Sequence, residues 1–193
     1  MTQATQQKAA DKLTVYQHTL VKELHEIADL LGLDYQNIKE YERKARTPHL
    51  ERIKRHLIIG EVVREYTLVD EFLNMRVCDF FFGRKRGYIQ LWKTMRFKLF
   101  NYHVIEELSL MAKLRFAKAI SNMPKSITGD IERLNALRNG LAHAFFPENL
   151  KRSKPEWKGR NIFTVPGLRA FKDDMSSVEE YFVASPPIIG NEV

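Results

Sequence analysis

The stretch from His49 to Phe82 constrains the fold more than any other part of the sequence. It contains no proline, and Gly60 is its only residue that strongly weakens a helix. Apolar residues recur along it at helical spacing. They are Leu57, Val62, Tyr66, Val69, Leu73 and Val77. The pattern predicts one long helix with a buried apolar seam.

Shorter helical patterns precede this stretch. An apolar stripe from Leu13 to Leu31 predicts an amphipathic helix that ends at Gly32. Asp34 is expected to cap a short second helix, which must end before Pro48 because proline disfavours a helical residue ahead of it.

The patterns that follow are also mostly helical. A segment from Ile89 to Ile120 is expected to bend around residues 101–103, and Pro124 follows its end. A further core helix should begin at Thr128 or Asp130 and end at Pro147. Residues 161–164 are expected to be extended, and residues 176–183 to form a last, acidic helix.

These patterns predict an all-α protein, most simply an up-and-down helical bundle with an N-terminal helical pair and a short C-terminal extension. The expected divisions are residues 1–48 for the N-terminal helical segment, 49–147 for the bundle core and 148–193 for the extension. Neither a signal peptide nor a membrane-spanning segment is expected, which predicts a cytoplasmic protein.

The charge of the chain is unevenly distributed. It has 31 Lys and Arg against 24 Asp and Glu, a formal net charge of +7. Nine basic and two acidic residues lie between Arg84 and Lys118, whereas five acidic and no basic residues follow Lys172. A basic middle suits a polyanionic partner such as nucleic acid, and the alternative is a solvated basic face.

One basic segment is a candidate for nucleic-acid binding. Its proposed phosphate-binding residues are Arg84, Lys85, Arg86, Lys93 and Arg96, accompanied by Lys98. Trp92 and Phe97 lie among them and could stack on bases, although rings at helical spacing more often belong to a core. The single cysteine and the spacing of the histidines predict no metal site, and no cofactor motif occurs.

The predicted last core helix contains three polar residues in an apolar setting: Arg138, Asn139 and His143. Gly140 lies among them and weakens the helix by about 1 kcal/mol, which suggests that this segment serves more than helix stability. Asn139 and His143 are four residues apart and share a helical face, so the amide could orient the imidazole. The alternative is a buried polar layer that fixes helix register.

The sequence Arg-Asn-x-x-x-His on the last long helix resembles the R-x4-H motif of the HEPN superfamily (higher eukaryotes and prokaryotes nucleotide-binding domains). The preceding residues 131–137, and the acidic pair Asp70 and Glu71 inside an earlier apolar helix, also resemble that family. The resemblance covers roughly residues 50–183 and implies a HEPN-like helical bundle.

The resemblance further implies a metal-independent endoribonuclease in which a 2′-hydroxyl attacks the adjacent phosphate. Arg138, Asn139 and His143 would be its catalytic residues, with Asp70 or Glu71 as a helper and no cofactor. The implied partners are RNA, a second copy of the chain in a homodimer, and an antitoxin protein, as for a toxin or phage-defence effector. A non-catalytic HEPN-like binding or dimerisation module stays open as an alternative.

Two further features bear on these expectations. Some family members have a modifiable tyrosine two residues after the histidine, but this chain has Phe145, which excludes that form of regulation.

Residues 27–48 resemble part of a repressor-type helix-turn-helix, in which residues 35–37 would read bases in the major groove. A DNA-binding regulator is therefore a second alternative.

Overall fold

The computed structural model describes residues 14–33, 47–83, 88–143 and 155–184, without the side chains of residues 47–49, 88 and 143. Within these ranges it contains seven α-helices, one π-helical turn and a single two-stranded sheet. The predicted all-α class is confirmed. None of the helices in the described ranges is both long enough and apolar enough to cross a membrane.

The helices are α1 (Val15–Leu30), α2 (Thr47–Phe82), α3 (Tyr88–Leu91), α4 (Met95–Phe100), α5 (Leu110–Ile120), α6 (Lys125–His143) and α7 (Val165–Ala184). The π turn spans Asn101–Ile105, and the strands are β1 (Glu156–Trp157) and β2 (Arg160–Asn161). The chain divides into a first unit, residues 1–61 with 154–171, and a second unit, residues 62–153 with 172–193. The long helix predicted for residues 49–82 is confirmed.

Helix α1 of the first unit lies within the predicted stripe, beginning at Val15 and ending just before Gly32, as predicted. Thr14 and Gln17 form a reciprocal capping box at its start. Its end lies just before Gly32, which has a φ of +64°, a conformation that favours glycine. Tyr16 donates a hydrogen bond of 2.5 Å to Glu51 of α2, and this bond to a carboxylate raises the pKa of Tyr16.

The strands of the first unit form a tight antiparallel hairpin. Its two turn residues, Lys158 and Gly159, both have positive φ values of 47° and 77°. That backbone geometry matches the twist of a two-residue hairpin. Trp157 on β1 is fully buried and packs edge-to-face on Phe171 of α7, with ring centroids 5.0 Å apart. A large aromatic contact therefore anchors the hairpin to the helix that follows it.

The second unit has an aromatic-rich core. Its buried members are Val77, Cys78, Leu91, Phe97 and Ile105, against which Phe82, Phe100 and Phe116 pack. Residues 101–103, where the sequence predicts a bend, lie in the π turn, in which the Glu106 amide donates to the Asn101 carbonyl over 3.0 Å. The predicted helical segment 89–120 is also interrupted at residues 92–94 and 106–109. Helix α5 then begins at Ser109, whose hydroxyl caps it, and packs against α6.

Two predicted helix starts are wrong. Helix α6 begins at Lys125, so Thr128 and Asp130 lie inside it rather than capping it. The Thr128 hydroxyl donates to the Lys125 carbonyl, and Asp130 accepts from Arg133, so neither side chain is available to cap an N-terminus. Helix α7 begins eleven residues before the predicted Ser176, at Val165, because the Thr164 hydroxyl accepts from the amide of Gly167.

Some predictions fall outside the described residues. These are the short helix after Asp34, the residues 35–37 of the helix-turn-helix alternative, the basic loop 84–87 and the helix end at Pro147. Helix α1 is one unbroken helix up to Leu30. The domain boundaries at residues 48 and 147 stay predictions.

We predict that Gly167→Ala lowers the free energy of unfolding by about 1–3 kcal/mol, the usual cost of overpacking. A Cβ atom at residue 167 would overlap the carbonyl oxygen of Asn161 and lie 2.7 Å from its carbonyl carbon, and this backbone cannot easily move. The measurement is urea unfolding of the two proteins.

Gly60→Ala in α2 is the matched control. A Cβ there meets no described atom within 4 Å, so alanine should raise the free energy of unfolding by about 1 kcal/mol through helix propensity. Equal effects of the two substitutions would contradict the packing described between residues 161 and 167.

Candidate functional site

Arg138 and Asn139 of α6 are both exposed and contact each other. The Nη1 atom of Arg138 donates to the Oδ1 atom of Asn139 over 3.2 Å. The Cζ atom of Arg138 also lies 5.2 Å from the centroid of the Tyr66 ring on α2. The guanidinium is therefore held by an amide on one side and an aromatic face on the other, while much of it stays open to solvent.

His143 is the last residue of α6, one helical turn after Asn139. Its side chain lies outside the described residues, so the predicted contact between the Asn139 amide and the imidazole stays a prediction. The Oδ1 atom of Asn139 accepts its hydrogen bond from Arg138. The amide group of Asn139 is therefore oriented by its neighbour in the motif, with the NH2 group in the same plane and directed away from Oδ1.

Gly140 leaves space beside the motif. A Cβ atom built at this position meets no described atom within 4 Å. Packing against the described part of the chain therefore does not require glycine here, and the helix loses about 1 kcal/mol of stability relative to alanine. Gly140 itself is partly buried.

The two predicted helper residues have different surroundings. The Asp70 carboxylate accepts two hydrogen bonds from the Nζ atom of Lys113 on α5, at 2.9 and 2.8 Å. It also lies 3.4 Å from the Nδ2 atom of Asn74. Glu71 is exposed. Asp70 is one turn after Tyr66 on α2, so it lies near the ring under Arg138, but its carboxylate is engaged by a lysine.

Sequence reasoning missed Lys113 and Tyr66. Lys113 is buried, and it occupies a core position of α5 in register with Leu110 and Leu114. A lysine in an apolar stripe is the signal that could have predicted a buried acidic partner. Tyr66 was assigned to the apolar seam of α2, and the seam alone does not show that its ring meets a guanidinium.

The predicted nucleic-acid-binding residues are only partly described. Arg84, Lys85 and Arg86 lie outside the described residues. Lys93 and Arg96 are exposed, and the Cζ atom of Arg96 lies 5.5 Å from the centroid of the Phe82 ring. Of the two rings named with them, Phe97 is buried, as the core interpretation predicts. Trp92 is 41% exposed, so that interpretation is wrong for it.

The one thiol of the chain is not a candidate nucleophile. Cys78 is buried in the core of the second unit, and this burial raises its pKa to about 11. At neutral pH it is protonated, and thiolate chemistry needs the ionised form. Among the described residues, no three His, Cys, Asp or Glu side chains are grouped closely enough to hold a metal ion.

Comparison with known proteins gives no matching family model, no matching curated relative and no matching solved structure. The functional argument therefore depends on the residues of this chain and their geometry.

We predict that Lys113→Met lowers the free energy of unfolding by about 2 kcal/mol. The Lys113 side chain is 5% exposed and that of Asp70 27%. Removing the lysine leaves a half-buried carboxylate without its cation, a cost that partial exposure of Asp70 reduces from the value of a fully buried pair. Urea unfolding measures the change.

Lys118→Met is the matched control on the same helix. Lys118 and Glu132 are about half exposed and 3.8 Å apart, so breaking this pair should cost less than about 1 kcal/mol. If the two variants unfolded at the same denaturant concentration, Asp70 would not depend on Lys113, and its assignment to a structural ion pair would be wrong.

Proposed function

We propose that this chain is an endoribonuclease of the HEPN type that cleaves RNA without a metal at the motif Arg138-Asn139-x-x-x-His143. The observation that carries the proposal is the exposure of Arg138 and Asn139 together with the contacts that orient them. An alternative role as a buried polar layer would require both side chains to be enclosed and fully paired, and neither is enclosed.

The chemistry assigns a separate task to each side chain. The imidazole of His143 accepts the proton of a 2′-hydroxyl or protonates the leaving oxygen, because imidazole is the side chain best suited to general acid–base catalysis near neutral pH. The guanidinium of Arg138 presents parallel N–H groups to two phosphate oxygens and stabilises the charge that develops on them. Asn139 holds the guanidinium through its carbonyl and offers its NH2 group to RNA.

The reaction balances without water or an oxidant. The 2′-oxygen forms a bond to phosphorus as its proton leaves, and the bond between phosphorus and the 5′-oxygen breaks as that oxygen gains a proton. The products are a 2′,3′-cyclic phosphate and a free 5′-hydroxyl. DNA has no 2′-hydroxyl, so it can bind but not react by this route.

Gly140 supports the proposal independently. Alanine would fit among the described atoms and favour the helix, yet the chain has glycine beside the motif. A glycine that packing against the described residues does not require is explained if a ribose-phosphate strand approaches the α6 backbone closely at this point.

A homodimer would complete such a site. Arg138 and His143 are five residues apart and so lie about 140° apart around one helix, which separates them on a single copy. Two α6 helices related by a two-fold axis would place both sets in one groove. An antitoxin protein that covers this groove, and a role as a toxin or phage-defence effector, belong to the same proposal.

The test compares RNA cleavage by the wild type, Arg138→Ala and His143→Ala in the presence of EDTA. Each substitution should lower the rate at least about 100-fold, the usual contribution of one such group. The matched controls are Arg133→Ala, an exposed arginine on the same helix paired with Asp130 at 2.7 Å, and His18→Ala, an exposed histidine on α1. Both should cleave at the wild-type rate.

Gly140→Ala separates activity from stability. It should raise the unfolding midpoint and lower the cleavage rate, a combination that a purely structural motif cannot produce.

If no variant changed the rate, the motif would have no catalytic role. If RNA bound without being cut by the wild type, the non-catalytic HEPN-like module would replace the proposal. Selective binding of duplex DNA that depends on residues 35–37 would favour the helix-turn-helix regulator.

A further inference from the structure

The segment 88–105 of the second unit exposes an unusual amount of apolar surface. Ile89, Met95, Leu99 and Tyr102 are each more than half exposed, and Trp92 is 41% exposed. Single exposed apolar residues are ordinary, but several within one short segment indicate a binding surface. The opposite side of the same segment supplies Leu91, Phe97 and Ile105 to the core.

The exposed rings are fixed in place by other rings. Trp92 packs edge-to-face on the buried Phe97, with centroids 5.2 Å apart and planes at 74°. It makes a second, longer contact with Tyr102, at 6.4 Å and 73°. Because Phe97 is almost completely buried, it anchors Trp92 while leaving part of the indole in solvent. The ring is therefore ordered before any ligand binds, which reduces the entropic cost of binding.

Positive charge is interleaved with these rings. Lys93, Arg96 and Lys98 are all exposed, and the sequence has no Asp or Glu between residues 88 and 105. Arg96 is held over the Phe82 ring. We name Trp92, Tyr102 and the three cations the ring–cation surface. It offers flat apolar faces and three positive charges within one short segment, and the first acidic residues after it are Glu106 and Glu107.

We propose that the ring–cation surface binds single-stranded RNA, with bases stacked on Trp92 and Tyr102 and phosphates held by Lys93, Arg96 and Lys98. Stacking on exposed rings beside a cationic track is the usual way in which proteins bind unpaired strands. A duplex conceals the faces of its bases, so it should bind more weakly. The inference rests on the proposed function for its choice of RNA, and it adds the single-stranded preference and a second contact surface.

A second copy of the chain fits this surface less well. Two such surfaces face to face would bring six cations together, with no acidic residue in either segment to pair with them. An anionic bilayer could satisfy the charges, but RNA is favoured because the same unit exposes Arg138 and Asn139, a second pair suited to phosphate recognition.

Tryptophan fluorescence provides a test that reports on this surface specifically. The chain has two tryptophans, and Trp157 is fully buried, so a ligand that stacks on the surface should quench Trp92. The full-length His143→Ala variant is titrated with an unpaired oligoribonucleotide and with a duplex of equal length. We expect saturable quenching by the single strand, weaker quenching by the duplex, and loss of the signal in the additional variant Trp92→Phe.

Affinity measurements separate stacking from general loss of structure. Tyr102→Ala should weaken binding of the oligoribonucleotide about 5-fold to 150-fold, the range that corresponds to one stacked base. The matched control is Tyr16→Ala, because Tyr16 and Tyr102 are equally exposed at 54% and only Tyr102 belongs to the surface. Equal effects of these two substitutions would overturn the inference.

The remaining outcomes are also decisive. If Trp92 fluorescence responds to vesicles of anionic lipid and not to RNA, the surface binds a membrane instead of RNA. If the protein associates with itself as its concentration rises and Trp92 becomes buried, the surface binds a second copy of the chain. If RNA is cut but binding does not depend on Trp92 or Tyr102, the inference fails and the proposed function stands. If binding depends on both rings but no RNA is cut, the proposed function fails alone.

Discussion

The second unit depends on the pairing of charged side chains that are buried or partly buried along helix α2. Glu65 is paired with Lys172 of α7 at 3.0 Å, and Asp70 is paired with Lys113 of α5. The buried Arg76 donates to the carbonyl oxygen of Phe182, 3.5 Å away on α7. A buried charge without a partner costs several kcal/mol, so these contacts favour the observed register of α5 and α7 along α2.

This pairing determines where the motif on α6 lies. Helix α6 packs against α5, which Lys113 holds to α2, and Arg138 of α6 lies over Tyr66, one turn before Asp70. The charged contacts inside the unit and the exposed pair Arg138 and Asn139 therefore have different tasks. The charged contacts hold the helices together. Arg138 and Asn139 are oriented by their neighbours and stay exposed to solvent. An exposed, oriented guanidinium is what recognition of a phosphate requires.

The sequence was informative where one local interaction decides the structure. The end of α1 just before Gly32 and the irregular helical turn at residues 101–105 follow from backbone preference and from a local change of pattern. The predicted start of α6 is wrong because more than one Thr or Asp residue there could cap a helix, and that of α7 is wrong because it depends on amphipathic pattern alone. Thr128 and Asp130 bond within their own helix instead.

The candidate site was predictable in part. Arg138 and Asn139 were found from their spacing, and their exposure agrees with a functional role. The engagement of Asp70 by Lys113 and the position of Tyr66 under Arg138 were not predicted, because both join residues more than 40 positions apart in the sequence. Periodicity shows which side of a helix is buried but does not show which helix covers it.

The chemistry of the cleaved RNA ends tests the central claim most directly. The measurement is mass spectrometry of the products that the wild type releases from an oligoribonucleotide in EDTA, beside the same strand with one 2′-deoxy nucleotide at the cut position. The account predicts 2′,3′-cyclic phosphate and 5′-hydroxyl ends, with cleavage abolished at the deoxy position. Ends with a 5′-phosphate, or equal cleavage of the deoxy strand, would contradict it.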